Sequence, residues 1–148
     1  MNKLIEMLLN NNHLLWSGAL ETVYMVGVAM FISMLLGIPI GVGVVLTEKG
    51  NILENKYLNF ILSTLINISR SIPFIVLMVA LIPVTRLIVG TSIGTTAAIV
   101  PLTVGAIPFI ARIVENSLKE VNSGVIEAAQ AMGASPWEII RKVLLPEA

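Results

Sequence analysis

The sequence predicts an all-α protein, a polytopic transmembrane helical bundle with three spans followed by a short helical hairpin. Three observations carry this prediction. Of 148 residues, 56% are hydrophobic and 12% are charged, whereas soluble domains are roughly 25% charged. Three apolar runs, at about 22–46, 58–83 and 93–114, approach or exceed the length a bilayer demands. The polar tail 115–148 then carries start and stop signals for two short helices. Nine basic and nine acidic side chains cancel, which argues against a nucleic-acid binder, since that needs surplus cation. The absence of cysteine excludes a disulfide scaffold, a thiol nucleophile and a cysteine-based metal site.

Residues 1–21 lack the apolar run and small-residue cleavage site of a signal peptide, so they read as an amphipathic lead-in to the first span. Trp16 and Glu21 stand where that span begins, as interfacial belt residues do. The run 22–46 contains no charge, and at 1.5 Å per residue it covers roughly 37 Å, enough to cross about 30 Å of hydrocarbon. Ala29, Ser33, Gly37 and Gly41 recur every fourth residue along it. Such a strip lets two helix backbones approach closely, which favours helix association in lipid. Pro39 within it predicts a kink.

A polar break at 47–56 separates the first run from the second. Ser63, Asn67 and Arg70 share one helical face of the second run. An arginine at the centre of a span costs roughly 2.5–3.5 kcal/mol on insertion scales, so Arg70 faces protein or water, or else snorkels to the cytoplasmic interface. Asn67, Arg70 and Thr103 are the candidate pathway-lining or structural polar residues. The third run carries Pro101 and Pro108, and Gly90 and Gly94 flank the turn before it. Proline-freed carbonyls in these runs must face other protein.

Lys49, Lys56, Arg112, Lys119, Arg141 and Lys142 fall on one side of this topology, and Lys3 and Arg86 on the other. That asymmetry places the 47–57 loop and the tail in the cytoplasm and the N-terminus outside. Aspartate is absent and histidine occurs once, so no acid–base pair, nucleophilic triad or metal-ligand set is present. The chain reads as a non-enzyme.

In the tail, a first helix fits Gly124–Met132, with Glu127 in its first turn complementing the dipole and Gly133 closing it in a left-handed conformation. Ser135, Pro136 and Glu138 then have the form of a capping box with proline at the first helical position. The second helix runs to about Leu144, and Pro146 interrupts further winding.

Glu127-Ala128-Ala129, Gly133, Val143 and Leu145-Pro146 stand at the spacing of the EAA signature, with valine where isoleucine is usual. On these residues the tail resembles that of bacterial ABC-importer permeases. The stretch 67–114 and the ending ASPWEIIRKVLLPEA most closely resemble the permeases of methionine importers. The resemblance implies one permease domain over 1–148 in the bacterial inner membrane, with a cytoplasmic EAA loop at 115–148 that contains a coupling helix. It implies that Glu127, Ala128, Ala129, Gly133, Ala134, Leu145 and Pro146 couple to a separate ABC ATPase subunit. That subunit would bind ATP and magnesium, leaving this chain without a cofactor. Small Ala128 and Ala129 suit close docking, and Glu127 either caps its helix or pairs with a basic residue of the partner. Further implied partners are a substrate-binding lipoprotein and a second permease. Such permeases continue past the Leu-Pro with about two more spans, so the resemblance implies C-terminal truncation at Ala148. Import of another amino acid or a small peptide, or a small non-ABC membrane assembly or pore, are the alternatives.

Overall fold

The structure, a computed structural model, describes residues 12–147. The expected lead-in falls mostly at 1–11, outside the described residues. Helix α1 spans Asn12–Thr47, and it runs unbroken through Pro39. Its buried residues begin with Ala29, Ser33, Gly37 and Gly41 and continue through Val44 to Thr47. Bulky side chains such as Val23, Phe31 and Leu35 are exposed, as a helix with one face to protein and the rest to lipid requires.

The connection after α1 is built from asparagines. Asn51 Nδ2 donates to the Val45 carbonyl at 2.8 Å and Asn59 Nδ2 to the Val44 carbonyl at 2.7 Å. These bonds satisfy acceptors that the end of a helix leaves without intrahelical partners. Asn55 caps the next helix, its side chain accepting from the Leu58 N–H at 3.0 Å. That helix, α2, covers Lys56–Ser71.

The run 58–83 is not one straight span. Ile72 is extended (φ −80°, ψ 123°) before Pro73, because proline excludes the helical region for its predecessor. Helix α3, Phe74–Ala80, therefore leaves α2 at a bend of 102°. Helix α4, Ile82–Val89, follows and closes at Gly90 with φ +83°. Arg86 Nε donates to Ser92 Oγ at 3.2 Å across the corner.

Helix α5 spans Thr95–Glu120 and buries both Pro101 and Pro108. It passes the expected end at residue 114, because Arg112, Glu115 and Lys119 pair along it at i, i+3 and i, i+4. Among the described residues, α1 and α5 are long and apolar enough to cross a membrane, and α2 with α3 adds a third crossing only if the bent pair counts as one.

The small-residue strip of α1 lies on α5. A Cβ at Gly37 would stand 2.9 Å from Ile110 Cβ, and one at Gly41 would stand 2.5 Å from the Ala111 carbonyl oxygen. Ser33 Oγ donates to the Ala29 carbonyl at 2.7 Å and to the Thr103 carbonyl at 3.1 Å. At the Thr95 end, Thr95 Oγ1 donates to Glu21 Oε2 at 2.9 Å. Glu21, expected as an interfacial belt residue, thus has a specific partner.

Candidate functional site

The tail folds into an elbow packed on the Glu120 end of the bundle. Val121 is extended and ends α5. Asn122 then caps helix α6, Ser123–Ala131, accepting from the Gly124 N–H at 2.8 Å. The helix starts one residue earlier than the sequence suggests, and its first turn holds no acid. Glu127 is consequently not the cap. It is exposed and makes no hydrogen bond or ion pair among the described residues.

Gly133 adopts φ +82°. Its N–H donates to the Gln130 carbonyl at 2.9 Å, and the Ala134 N–H to the Ala129 carbonyl at 3.1 Å. This pair of bonds is the Schellman closure that a left-handed residue makes possible. Helix α7, Pro136–Ile139, begins with the full capping box. Ser135 Oγ accepts from the Glu138 N–H at 3.4 Å, and the Ser135 N–H donates to Glu138 Oε2 at 3.1 Å. Lys142 Nζ sits 3.0 Å from Glu138 Oε1. With the Ser135 bonds, this lysine lowers the Glu138 pKa to about 2.

Winding does not stop at Pro146. Ile140–Leu144 widen into a π turn, with the Leu145 N–H bonded to the Ile140 carbonyl, and α8 runs Leu145–Glu147. Proline lacks an N–H and crowds the carbonyl four residues back, and a π turn is an established way to absorb such a fault.

The elbow has its own apolar core. Ala129, Ile139 and Leu144 are buried with Val45, Leu46 and Leu118, and half-buried Ala134 packs against them. The two alanines of the signature therefore differ: Ala129 faces inward as packing, and Ala128 faces out. That corrects the expectation that both dock a partner. Gly133, Leu145 and Pro146 are exposed, and Met132 (82%) and Trp137 (67%) form an apolar rim beside them. Met132 and Trp137 carry no distinctive sequence signal, since either fits a core.

A chain of charges ties the elbow's base to the helices. Lys119 Nζ lies 3.0 Å from Glu48 Oε2 and 3.1 Å from Glu115 Oε1. Arg112 Nη1 lies 2.8 Å from Glu115 Oε2, and Arg112 Nη2 donates to Asn67 Oδ1. Glu115 is buried, at 3% exposure, and two cations compensate its charge, as burial requires. The i, i+3, i+7 spacing of Arg112, Glu115 and Lys119 hints at this chain. The Glu48 contact, 71 residues away, has no local signature.

The three polar span residues do not form one path. Asn67 is engaged by Arg112 and, with Ser63, lines an open groove of about 890 Å³. Thr103 is buried in the α1–α5 packing, where its carbonyl accepts from Ser33 while its hydroxyl has no partner. It also lines an apolar groove of about 420 Å³. Arg70 is exposed in the last turn of α2 and makes no hydrogen bond or ion pair among the described residues.

A bent, proline-broken helical bundle with a capped elbow at one end defines a class of protein. The chain belongs to the family of binding-protein-dependent transport system inner membrane components, whose profile matches residues 37–148. It is 60% identical over 138 residues to the probable D-methionine transport system permease protein MetI of Vibrio cholerae, covering 93% of this chain and 61% of that relative. With the D-methionine transport system permease protein MetI of Escherichia coli K12 it shares 57% over 135 residues, 91% of this chain and 62% of the relative. The chain thus spans about three-fifths of the length of these relatives. An inward-facing structure of the MetNI methionine ABC transporter matches with TM-score 0.90 and 55% identity, over 93% of this chain and 64% of that one. An amino acid ABC transporter solved with histidines matches with TM-score 0.72 at 23% identity, over 95% of this chain and 63% of that chain, which shows the shared fold alone.

Proposed function

We propose that the chain is part of the permease of an ATP-driven importer of methionine. It contributes to the path across the inner membrane and is not itself an enzyme. The spans are α1, the bent pair α2–α3, and α5, with the N-terminus outside and the elbow in the cytoplasm. The charge asymmetry between the two sides supports this orientation.

The elbow is the point of coupling to a separate ATPase subunit that binds ATP and magnesium. The observation that carries this reading is mechanical. The elbow is packed through Ala129, Ile139 and Leu144 onto Val45, Leu46 and Leu118 of the spans, so force on its rim moves α1 and α5 together. Exposed Ala128, Gly133, Met132 and Trp137 form that rim, and Glu127 beside it is free to pair with a cation of the ATPase. A second permease copy and a substrate-binding lipoprotein complete the assembly. The strip Ala29, Ser33, Gly37 and Gly41 packs α1 on α5 within the chain.

The test is co-purification of the ATPase with the permease in membranes. Gly133→Glu abolishes it and Ile93→Ser, at the opposite corner, leaves it intact. Undiminished co-purification with Gly133→Glu would overturn the coupling assignment. Uptake of labelled methionine against labelled lysine and glutamine tests the cargo, and equal rates for all three would refute methionine import.

A further inference from the structure

Of Arg70, Arg86 and Arg112, Arg70 alone has nothing to hold it among the described residues: Arg112 pairs with Glu115 and Asn67, and Arg86 bonds Ser92. Its depth follows from the packing. A Cβ at Gly105 would stand 3.3 Å from the Phe74 ring and 3.4 Å from Leu77, so α3 crosses α5 at residue 105. Ser69 shares a cavity wall with Val104 and Ile107, which sets the end of α2 at the same level. The Thr95–Glu21 hydrogen bond marks the polar boundary at the outer end of α5. Residue 105 is ten positions further in, or about 15 Å, half of a hydrocarbon core of about 30 Å.

A guanidinium with no partner among the described residues therefore stands at this mid-span level, two residues before the break at Ile72–Pro73. Snorkelling serves cations near span ends, and intramembrane charges otherwise mark pathways. In secondary transporters, broken helices at the midplane hold the cargo. The neighbouring polar groups are already engaged: Asn67 Oδ1 by Arg112, and Ser71 Oγ by the Asn67 carbonyl at 2.8 Å. The last carbonyls of α2 lack intrahelical donors.

Resting on the reading of the chain as an amino-acid permease, we propose that Arg70 binds the carboxylate of the amino-acid cargo as it passes the break in the bent span. The guanidinium offers two parallel N–H donors, which suit a carboxylate.

The test uses the permease as its gene encodes it, assembled with its ATPase and binding protein in proteoliposomes. Uptake is measured for methionine and for methioninamide, in which the carboxylate is replaced by a neutral amide, each at a concentration that saturates the binding protein. Arg70→Gln lowers methionine uptake about tenfold or more, the worth of a charged hydrogen bond, and Arg70→Lys recovers most of it. Methioninamide uptake, assembly and basal ATP hydrolysis stay within about twofold of wild type. Unchanged methionine uptake with Arg70→Gln overturns the proposal. So does equal loss for both cargoes, no recovery with lysine, or loss of assembly, since each points to a structural tie. Failure of the wild type to import methionine would instead overturn the functional reading on which the proposal rests.

Discussion

Gly41 and Ala111 meet backbone to backbone: a Cβ on Gly41 would stand 2.5 Å from the Ala111 carbonyl oxygen and 2.8 Å from Val114 Cβ. The atom in the way is backbone, so no rotamer change relieves it. Gly41→Ala must push α1 off α5, at the cost of overpacking, about 1–3 kcal/mol. Gly43→Ala is the control, because its Cβ meets only Leu62 Cδ1 at 3.6 Å. Thermal unfolding of the purified complex separates the two, with Gly41→Ala lowered and Gly43→Ala near wild type.

Glu115 holds two cations from a buried position. Glu115→Ala strands Arg112 beside Asn67, and breaking a buried pair in this way costs about 3–5 kcal/mol. Lys119→Ala removes a half-exposed partner and costs about 0–1 kcal/mol. Folded yield after membrane extraction, followed by thermal unfolding, should rank Glu115→Ala well below Lys119→Ala.

Gly133 has open space around its missing Cβ, so its requirement is torsional only. Gly133→Ala places an L-residue at φ +82° and costs roughly 1–2 kcal/mol. Gly133→Asn costs less, because asparagine tolerates this region. Hydrogen exchange over residues 123–144 should speed most in the alanine variant.

Ser135→Ala removes the hydroxyl that accepts from the Glu138 N–H, at a cost of about 0.5–2 kcal/mol. Proteolysis within 136–144 should become faster while the rest of the chain keeps its cleavage pattern.

Glu138 also makes the elbow acid-sensitive. The Lys142 ammonium and the Ser135 bonds lower its pKa from 4.5 to about 2. A depressed carboxylate stabilises the fold in full above about pH 4.5, and that contribution is lost as pH falls toward 2. Hydrogen exchange in 135–142 should accelerate over that window, and Glu138→Gln should flatten the response.

Much of the elbow was legible in the sequence because capping is local. Ser135, Pro136 and Glu138 name a helix start within four residues, and Gly133 names a stop. Of the two roles the sequence left open for Glu127, the cap is taken by Asn122 five positions upstream, since an asparagine at the cap outweighs an acid further along. It also missed the inward turn of Ala129. Two adjacent alanines look alike until Val45, Leu46 and Leu118 define which side is covered.

The sequence by itself determined the membrane class, the long apolar runs, the close-packing strip of α1 and the paired helices of the tail. Each of these depends on neighbours within a turn or two, or on summed transfer energy along a run. Only the tertiary structure decided that the second run bends through 102°, that Arg112 reaches Asn67 and Lys119 reaches Glu48, and that Arg70 has no partner among the described residues. Those partners are 45 and 71 residues apart. Which distant charges meet is set by the helix packing, which brings Arg70 no partner among the described residues.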